Sequence, residues 1–297
     1  MEQPFRFCFI AAPDDLAAYV NTLFLFETDQ AQFDDILPAY SAQLICFGRG
    51  RARMQLAPDR VAESSEAFFL TPMQQAAPFS MEGPVRACGI SLTTLGWAAL
   101  SRLPVDRYGH LKMDAAEILD AQTVSRLSAI GGSFADGNLS AEGVCDLLVS
   151  VMRAHIAPPI AQHVQFILAM TEWLNSSLNP DIEQLTVSTG LSPRQIQRLA
   201  RRYFGKPPTG LVRRYRAIRA ATILSQDGVP AEIVDEATNA FFDQAHMIRD
   251  IRHFTGRTPT ALSSEQENVT RNTLGPEGYG VIDLFGGTKR TLVAGES

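Results

Sequence analysis

Between residues 182 and 205 the sequence IEQLTVSTGLSPRQIQRLARRYFG leaves the chain little choice but two short helices joined by a tight turn. Ile182 and Leu185 are spaced for the inner face of a first helix. Gly190 can take the left-handed backbone that ends it, and Leu191 follows as a core anchor. Ser192 is a favoured N-cap, and Pro193 suits the first position of a second helix. At about 100° per residue, Ile196, Leu199, Ala200 and Tyr203 fall on one face of that helix. Arg194, Gln197, Arg198 and Arg201 fall on the other, with Arg202 at its edge. Helix, glycine-containing turn and capped second helix form a helix-turn-helix pattern.

Charge sharpens that reading. The chain of 297 residues is net −6, yet residues 194–219 hold nine basic side chains and no acidic one. Residues 181–265 carry 12 basic and 9 acidic residues, against 14 and 23 elsewhere. A basic module on an acidic body is the electrostatic footprint of a protein that meets phosphates. Arg pairs with guanine O6/N7 and Gln with adenine N6/N7, so an Arg/Gln face without carboxylates suits base reading better than a merely solvated face. The next helix carries Arg213, Arg214, Arg216 and Arg219 around more than one face, which suits phosphate contacts better than base reading.

A second copy follows in residues 229–256. Pro230 starts a helix, Asn239-Ala240 marks a turn and Asp243 caps the next helix. On that helix Gln244, Met247, Ile248, Ile251 and Phe254 are predicted to lean inward. Ala245, His246, Arg249, Asp250 and His253 lean outward. Both units close on similar phrases, Tyr203-Phe204-Gly205-Lys206-Pro207-Pro208 and Phe254-Thr255-Gly256-Arg257-Thr258-Pro259, about 50 residues apart. Two such helices would address successive major-groove segments roughly 34 Å apart.

These residues resemble the DNA-binding domain of the AraC/XylS family of transcription regulators. The phrase Leu191-Ser192-Pro193-Arg194-Gln195-Ile196-Gln197-Arg198 resembles the family's first recognition helix, and Asp243 through Pro259 its second unit. The resemblance covers about residues 160–263 and implies base contacts from Arg194, Gln197 and Arg198, then from Gln244, Ala245, His246 and Arg249. Ser192, Arg201, Arg202, Lys206, Arg213, Arg214, Arg216 and Arg252 are the candidates for phosphate contacts. Two departures stand out. The family usually has Gly where Ala240 stands, so a strained or shifted turn is expected, with Asn239 sharing its conformation. Asp250 puts a carboxylate on the outward side, where it repels phosphate unless it pairs with Arg249 or accepts from a cytosine amino group. The first unit is therefore expected to supply most sequence reading and the second mainly to position.

The first hundred residues read as β-rich. Strands are predicted over 5–10, 41–47, 51–56, 67–71 and 84–91, with turns at 13–15, 48–50, 58–59 and 82–84. Gly48-Arg49-Gly50 reads as a hairpin turn. A helix over 92–103 ends at Pro104. Ser140 caps a helix whose stripe Val144, Leu147, Leu148, Val151 and Met152 can serve as core, the default, or as a dimer seam. A further helix spans about 160–176.

The expected fold is thus α+β: a small β-barrel or cupin-like sensor domain over 1–112 and a helical linker or dimerisation segment over 113–159. An all-α tandem helix-turn-helix domain over 160–263 and a flexible tail over 264–297 complete it. In that tail, Val281-Ile282 and Leu292-Val293 are weak strand candidates.

Enzyme classes find little support in the chain. A metal-dependent cupin enzyme, or less remotely a DNA-binding protein with a non-sensing N-terminal domain, is the competing reading. Yet none of His110, His155, His163, His246 and His253 falls in a predicted strand before residue 100, so no metal is expected. No GxSxG, GxGxxG or Walker loop occurs, so no catalytic residue or cofactor is assigned. Cys8, Cys46, Cys88 and Cys145 are far apart and read as buried thiols. No apolar run approaches the roughly 18 residues of a membrane span, and no basic leader precedes the first apolar run, so a cytoplasmic protein is expected. The resemblance implies double-stranded DNA and RNA polymerase as partners, a homodimer, and a small-molecule effector whose binding residues the sequence leaves unassigned. Activation is the family's commoner behaviour.

Overall fold

The computed structural model describes residues 4–39, 41–225, 228–262 and 268–274. The N-terminal part is one eight-stranded antiparallel sheet. It comprises β1 (Arg6–Ala11), β2 (Val20–Thr28), β3 (Gln32–Leu37), β4 (Gln43–Ala57), β5 (Arg60–Glu63), β6 (Ala67–Leu70), β7 (Ala77–Leu92) and β8 (Lys112–Asp114). The main path runs β1-β2-β7-β4-β6-β8, with β3 beside β7 and β5 beside β4. The end strands β1 and β8 do not pair, so the sheet is open.

Two long strands carry the architecture, and the sequence suggests shorter ones. Gly48-Arg49-Gly50 is not a hairpin turn. It lies inside β4, where the pairing with β7 slips at Phe47/Arg49 and again at Arg49/Arg51. Nor does Glu82-Gly83-Pro84 end a strand, because β7 runs through it. The glycines bend the strands instead. One half of β7 pairs with β2 and the other with β3, so the sheet folds over on itself. The space is tight at both bends. A Cβ on Gly48 would lie 1.9 Å from the Gly131 carbonyl oxygen, and one on Gly83 2.0 Å from that of Gln30.

Both faces of the sheet are covered. In β2, Leu23 and Leu25 pack toward α3 (Ala121–Ala135) and α4 (Ala141–His155), while Phe24 and Phe26 face the inside of the folded sheet. Ser140 caps α4 as expected, and Val144, Leu148, Val151 and Met152 are buried in that core, whereas Leu147 is 36% exposed. Cys46 and Cys88 face each other across β4 and β7, both fully buried. Cys8 is exposed, contrary to the expectation of buried thiols.

Beyond α1 (Thr94–Ser101) and α2 (Val105–Tyr108), the helical part comprises α5 (Ala161–Ser176), α6 (Ile182–Thr189), α7 (Pro193–Phe204) and α8 (Pro208–Leu224). It continues with α9 (Ala231–Asn239), α10 (Gln244–Thr255), α11 (Pro259–Leu262) and α12 (Val269–Leu274). The last helix corrects the expectation of a structureless tail, because Val269 and Leu274 are buried. The strand candidates Val281-Ile282 and Leu292-Val293 lie outside the described residues.

The two parts share a core in which Phe33, Leu37 and Ala39 meet Ala217, Ala221 and Phe254. Asp35 on β3 anchors the contact. One carboxylate oxygen accepts from Arg257, and the other accepts from the Val269 amide at 2.7 Å. Sheet-domain groups also donate to the last carbonyls of both long C-terminal helices. Gln74 Nε2 donates to Phe204 O at 3.5 Å, Ala76 N to His253 O at 3.1 Å and Ala39 N to Phe254 O at 2.7 Å. Such carbonyls have no partner within their helix.

Candidate nucleic-acid interface

The first unit forms as its caps dictate. Asp181 accepts from Glu183 N at 2.9 Å and starts α6. Gly190 ends it at φ 63°, the left-handed backbone that the turn requires. Ser192 and Gln195 form a capping box, with Gln195 Oε1 accepting from Ser192 N at 3.0 Å. Ile196, Leu199, Ala200 and Tyr203 are buried against α5, and the Tyr203 hydroxyl shares a hydrogen bond with His163 Nδ1 at 2.6 Å. This leaves Arg194, Gln197, Arg198, Arg201 and Arg202 exposed together on one face, with Lys206 exposed just beyond. Ser192 is also exposed, but its hydroxyl is committed to the cap at 2.8 Å from Gln195 Oε1.

The second unit repeats the plan with different chemistry. Asp243 caps α10 by accepting from His246 N at 2.7 Å. Ala240 sits at φ −68° and ψ −13°, an unstrained helical conformation, so the missing glycine has no structural consequence there. Met247, Ile251 and Phe254 are buried. Gln244 and Ile248, both expected to face inward, are exposed. Ala245, Ile248, Arg249, Arg252 and His253 line one shallow cleft on the outer surface, and His246 lies at its margin, half-buried.

Asp250 does not face outward. It is wholly buried and accepts from Arg213 Nε at 2.8 Å and Arg213 Nη2 at 2.5 Å, both on Oδ1. His246 Nε2 lies 3.3 Å from Oδ2, without hydrogen-bond geometry. The Asp250 carboxylate raises the Arg213 pKa above its ordinary value through those hydrogen bonds. Asp250 therefore presents no charge to phosphate and pairs with neither Arg249 nor a base.

Three arginines expected to grip phosphate have partners within the protein. Arg213 is held by Asp250. Arg214 is buried and reaches the Ala39 carbonyl of the sheet domain at 3.5 Å, and burial lowers its pKa to about 10, so it remains charged at neutral pH. Arg216 donates to Asn179 Oδ1 at 2.7 Å and Ala240 O at 3.2 Å, and lies over the Phe241 ring at 4.7 Å. Periodicity alone cannot show that α8 packs against both the sheet domain and α10. Arg252, the remaining phosphate candidate, is exposed on α10.

Inside the folded sheet lies an apolar cavity of about 90 Å³. Phe7, Phe24, Phe26, Phe47, Phe68 and Phe79 line it, with Met54, Met81 and Val269 of α12. Gln43 also reaches it. This residue is 6% exposed, and its amide makes no hydrogen bond to the described residues. Sequence spacing missed this site because its walls come from strands far apart in the chain, one of which, β2, carries an unbroken apolar run. Among the described residues, no group of three or more His, Cys, Asp or Glu side chains comes together as a metal site would require. No described helix is long and apolar enough to cross a membrane.

A sheet domain joined to two capped helix-turn-helix units with exposed second helices is the make-up of a DNA-binding regulator. Residues 185–265 match the family model described as "Helix-turn-helix domain", and this part of the chain is a helix-turn-helix domain. No curated protein matches the chain. Among solved structures, an apo ToxT variant from Vibrio cholerae is 8% identical and covers 90% of this chain and 99% of its own, with a TM-score of 0.45. Unsaturated fatty acid-bound ToxT from the same organism is 9% identical and covers 79% and 95%, with a TM-score of 0.41. The AraC-like transcriptional activator CuxR is 12% identical and covers 73% and 86%, with a TM-score of 0.27. These distant likenesses add nothing to the assignment, which rests on the matched helices and their caps.

Proposed function

We propose that this chain is a sequence-specific DNA-binding transcription regulator, an activator working as a homodimer in the cytoplasm. The observation that carries the reading is the exposed face of α7. There Arg194, Gln197, Arg198 and Arg201 stand together on a capped helix whose other face is buried. Arg194, Gln197 and Arg198 read base edges, while Arg201, Arg202, Lys206 and Arg252 meet phosphates. Gln244, Ala245, His246 and Arg249 are the candidates on α10. Dimerisation doubles the number of reading helices against a genome of competing sites.

The sheet domain takes a small apolar effector in its phenylalanine-lined cavity. At about 90 Å³ the space is smaller than the roughly 150 Å³ cavities that admit benzene, so a ring-sized ligand requires modest movement of the walls. Gln43 supplies the one amide able to orient such a ligand.

The test is DNA binding at several salt concentrations. Affinity should fall steeply with salt, because each neutralised phosphate contributes a slope near −0.9. Binding that is absent, or indifferent to salt, refutes the proposal. Arg198→Ala should relax base preference without lowering the melting temperature. An apolar ligand that fills the cavity should raise that temperature and change DNA affinity. RNA polymerase recruitment is read by transcription from the bound promoter.

A further inference from the structure

The two helix-turn-helix units can be compared within the chain by aligning their N-caps, Ser192 and Asp243. The outward positions Arg194, Gln197, Arg198 and Arg201 of α7 then correspond to Ala245, Ile248, Arg249 and Arg252 of α10. The last two positions stay basic. The first two change from long hydrogen-bonding side chains to apolar ones, and Ile248 is 37% exposed. The residue before the cap changes as well. Leu191 is half-buried, whereas Phe242 is 93% exposed. A residue at this position commonly folds back onto the first turn of its helix, but Phe242 does not.

Scattered apolar residues on a surface need no explanation. These three are not scattered. Ala245 and Ile248 lie three residues apart on the exposed N-terminal half of a recognition helix, where helix-turn-helix proteins contact base edges, and Phe242 stands exposed just before its cap. Arg249 and Arg252 line the same shallow cleft as Ala245 and Ile248, and the exposed carboxylate of Asp243 is committed to the cap.

The apolar positions of this surface, Phe242, Ala245 and Ile248, cannot read bases by hydrogen bonding. Opposite Ala245 or Ile248, a guanine, adenine or cytosine edge would lose water and gain no partner, which is unfavourable. The one apolar group on the major-groove edges is the 5-methyl of thymine. We infer that the second recognition helix selects its part of the DNA site through thymine methyl groups, contacted by Phe242, Ala245 and Ile248. Arg249 and Arg252 hold the adjoining bases and backbone. The inference rests on the DNA-reading function proposed above. It makes the second helix a reader in its own right, beyond its positioning role.

The experiment uses the full chain. A duplex pool of random sequence is enriched for bound members, and the half read by α7 is identified as the half where Arg198→Ala relaxes preference. Thymines in the selected duplex are then replaced by uracil one at a time, which removes only the methyl. Replacement at one or more positions in the α10 half should weaken binding about fourfold each, the fold-change that about 0.8 kcal/mol of methyl burial gives. Replacements in the α7 half should change little. The exposed-site variants Phe242→Ala and Ile248→Ala should keep the native melting temperature, bind the thymine duplex more weakly and no longer distinguish uracil from thymine.

A selected α10 half without thymine, or uracil replacements without effect there, overturns the inference while leaving the DNA-reading function standing. A pool that yields no enriched sequence overturns that function itself.

Discussion

Replacing Arg213 with Met should damage the fold far more than its position on an exposed basic run suggests. Its guanidinium makes two hydrogen bonds to one oxygen of Asp250, a residue with no solvent exposure. Arg213 itself is 45% exposed. The pair is therefore asymmetric. Removing the arginine leaves a carboxylate in a dry site without a hydrogen-bonded cation, the imidazole of His246 lying 3.3 Å from its other oxygen. An orphaned buried charge of this kind costs about 3–5 kcal/mol. Removing the carboxylate is gentler, because the Arg213 head can turn to water. Asp250→Asn also retains an acceptor, so its cost should be about 1–2 kcal/mol.

Urea unfolding of the full chain, followed through the fluorescence of Trp97 and Trp173, measures both variants. Arg213→Met should lose at least twice the stability lost by Asp250→Asn, and the double variant should recover part of the loss. Equal losses, or a loss below about 1 kcal/mol for Arg213→Met, would refute the buried-charge reasoning. If Arg213 were chiefly a phosphate contact, its variant would instead unfold normally and bind DNA with a shallower salt dependence.

Other outcomes follow from the same geometry. Gly190→Ala should lower stability by about 1–2 kcal/mol, the cost of left-handed backbone with a Cβ. Nothing lies within 4 Å of that added atom, so the thermal shift isolates backbone strain. Arg201→Ala should leave the melting temperature unchanged and reduce the salt slope of DNA binding by about 0.9, whereas buried Arg214→Ala should lower the melting temperature. Burial lowers the pKa of His110, His163 and His253, so these imidazoles take up protons more readily in the unfolded chain. Their contribution to stability is full above the unfolded value of about 6.5 and is lost as pH falls toward the depressed folded values. A melting temperature that stays level between about pH 7.5 and about pH 5 would contradict it.

The helix-turn-helix units were legible because their signals are local. Ser192, Asp243 and Gly190 act within a few residues of themselves, and buried Ile196 and Leu199 repeat at helical spacing. The sheet was harder to read. β2 carries Leu23, Phe24, Leu25 and Phe26 in an unbroken apolar run, because helices cover one face and the cavity lies on the other. Period-two alternation is absent, so no strand is predicted there. β3 is hidden by Asp34 and Asp35, two residues unfavourable in strands. Asp35 is tolerated because Arg257 and the Val269 amide, more than 200 positions away in sequence, satisfy it. The Gly48–Gly50 and Gly83 signals are real backbone signals, but a bend within a strand and a turn between strands look alike in sequence.

The least legible feature is the set of contacts that joins the sheet domain to the ends of α7 and α10. The C-terminal ends of both recognition helices receive hydrogen bonds from the sheet domain, through Gln74 to α7 and through Ala39 and Ala76 to α10. Gly256, which ends α10 at φ 76°, lies so near β3 that a Cβ there would stand 2.3 Å from Ile36 Cγ2. Asp35, the next residue along β3, holds the amide of Val269, and Val269 is part of the cavity wall. A molecule that enlarges the cavity therefore pushes on a wall that shares an anchor with the end of α10. Packed interfaces of this kind shift between discrete arrangements rather than deform smoothly. If the proposed effector occupies the cavity, this chain of contacts predicts that ligands of different ring size change DNA affinity without touching α10, and equal affinities across such a series would refute the coupling.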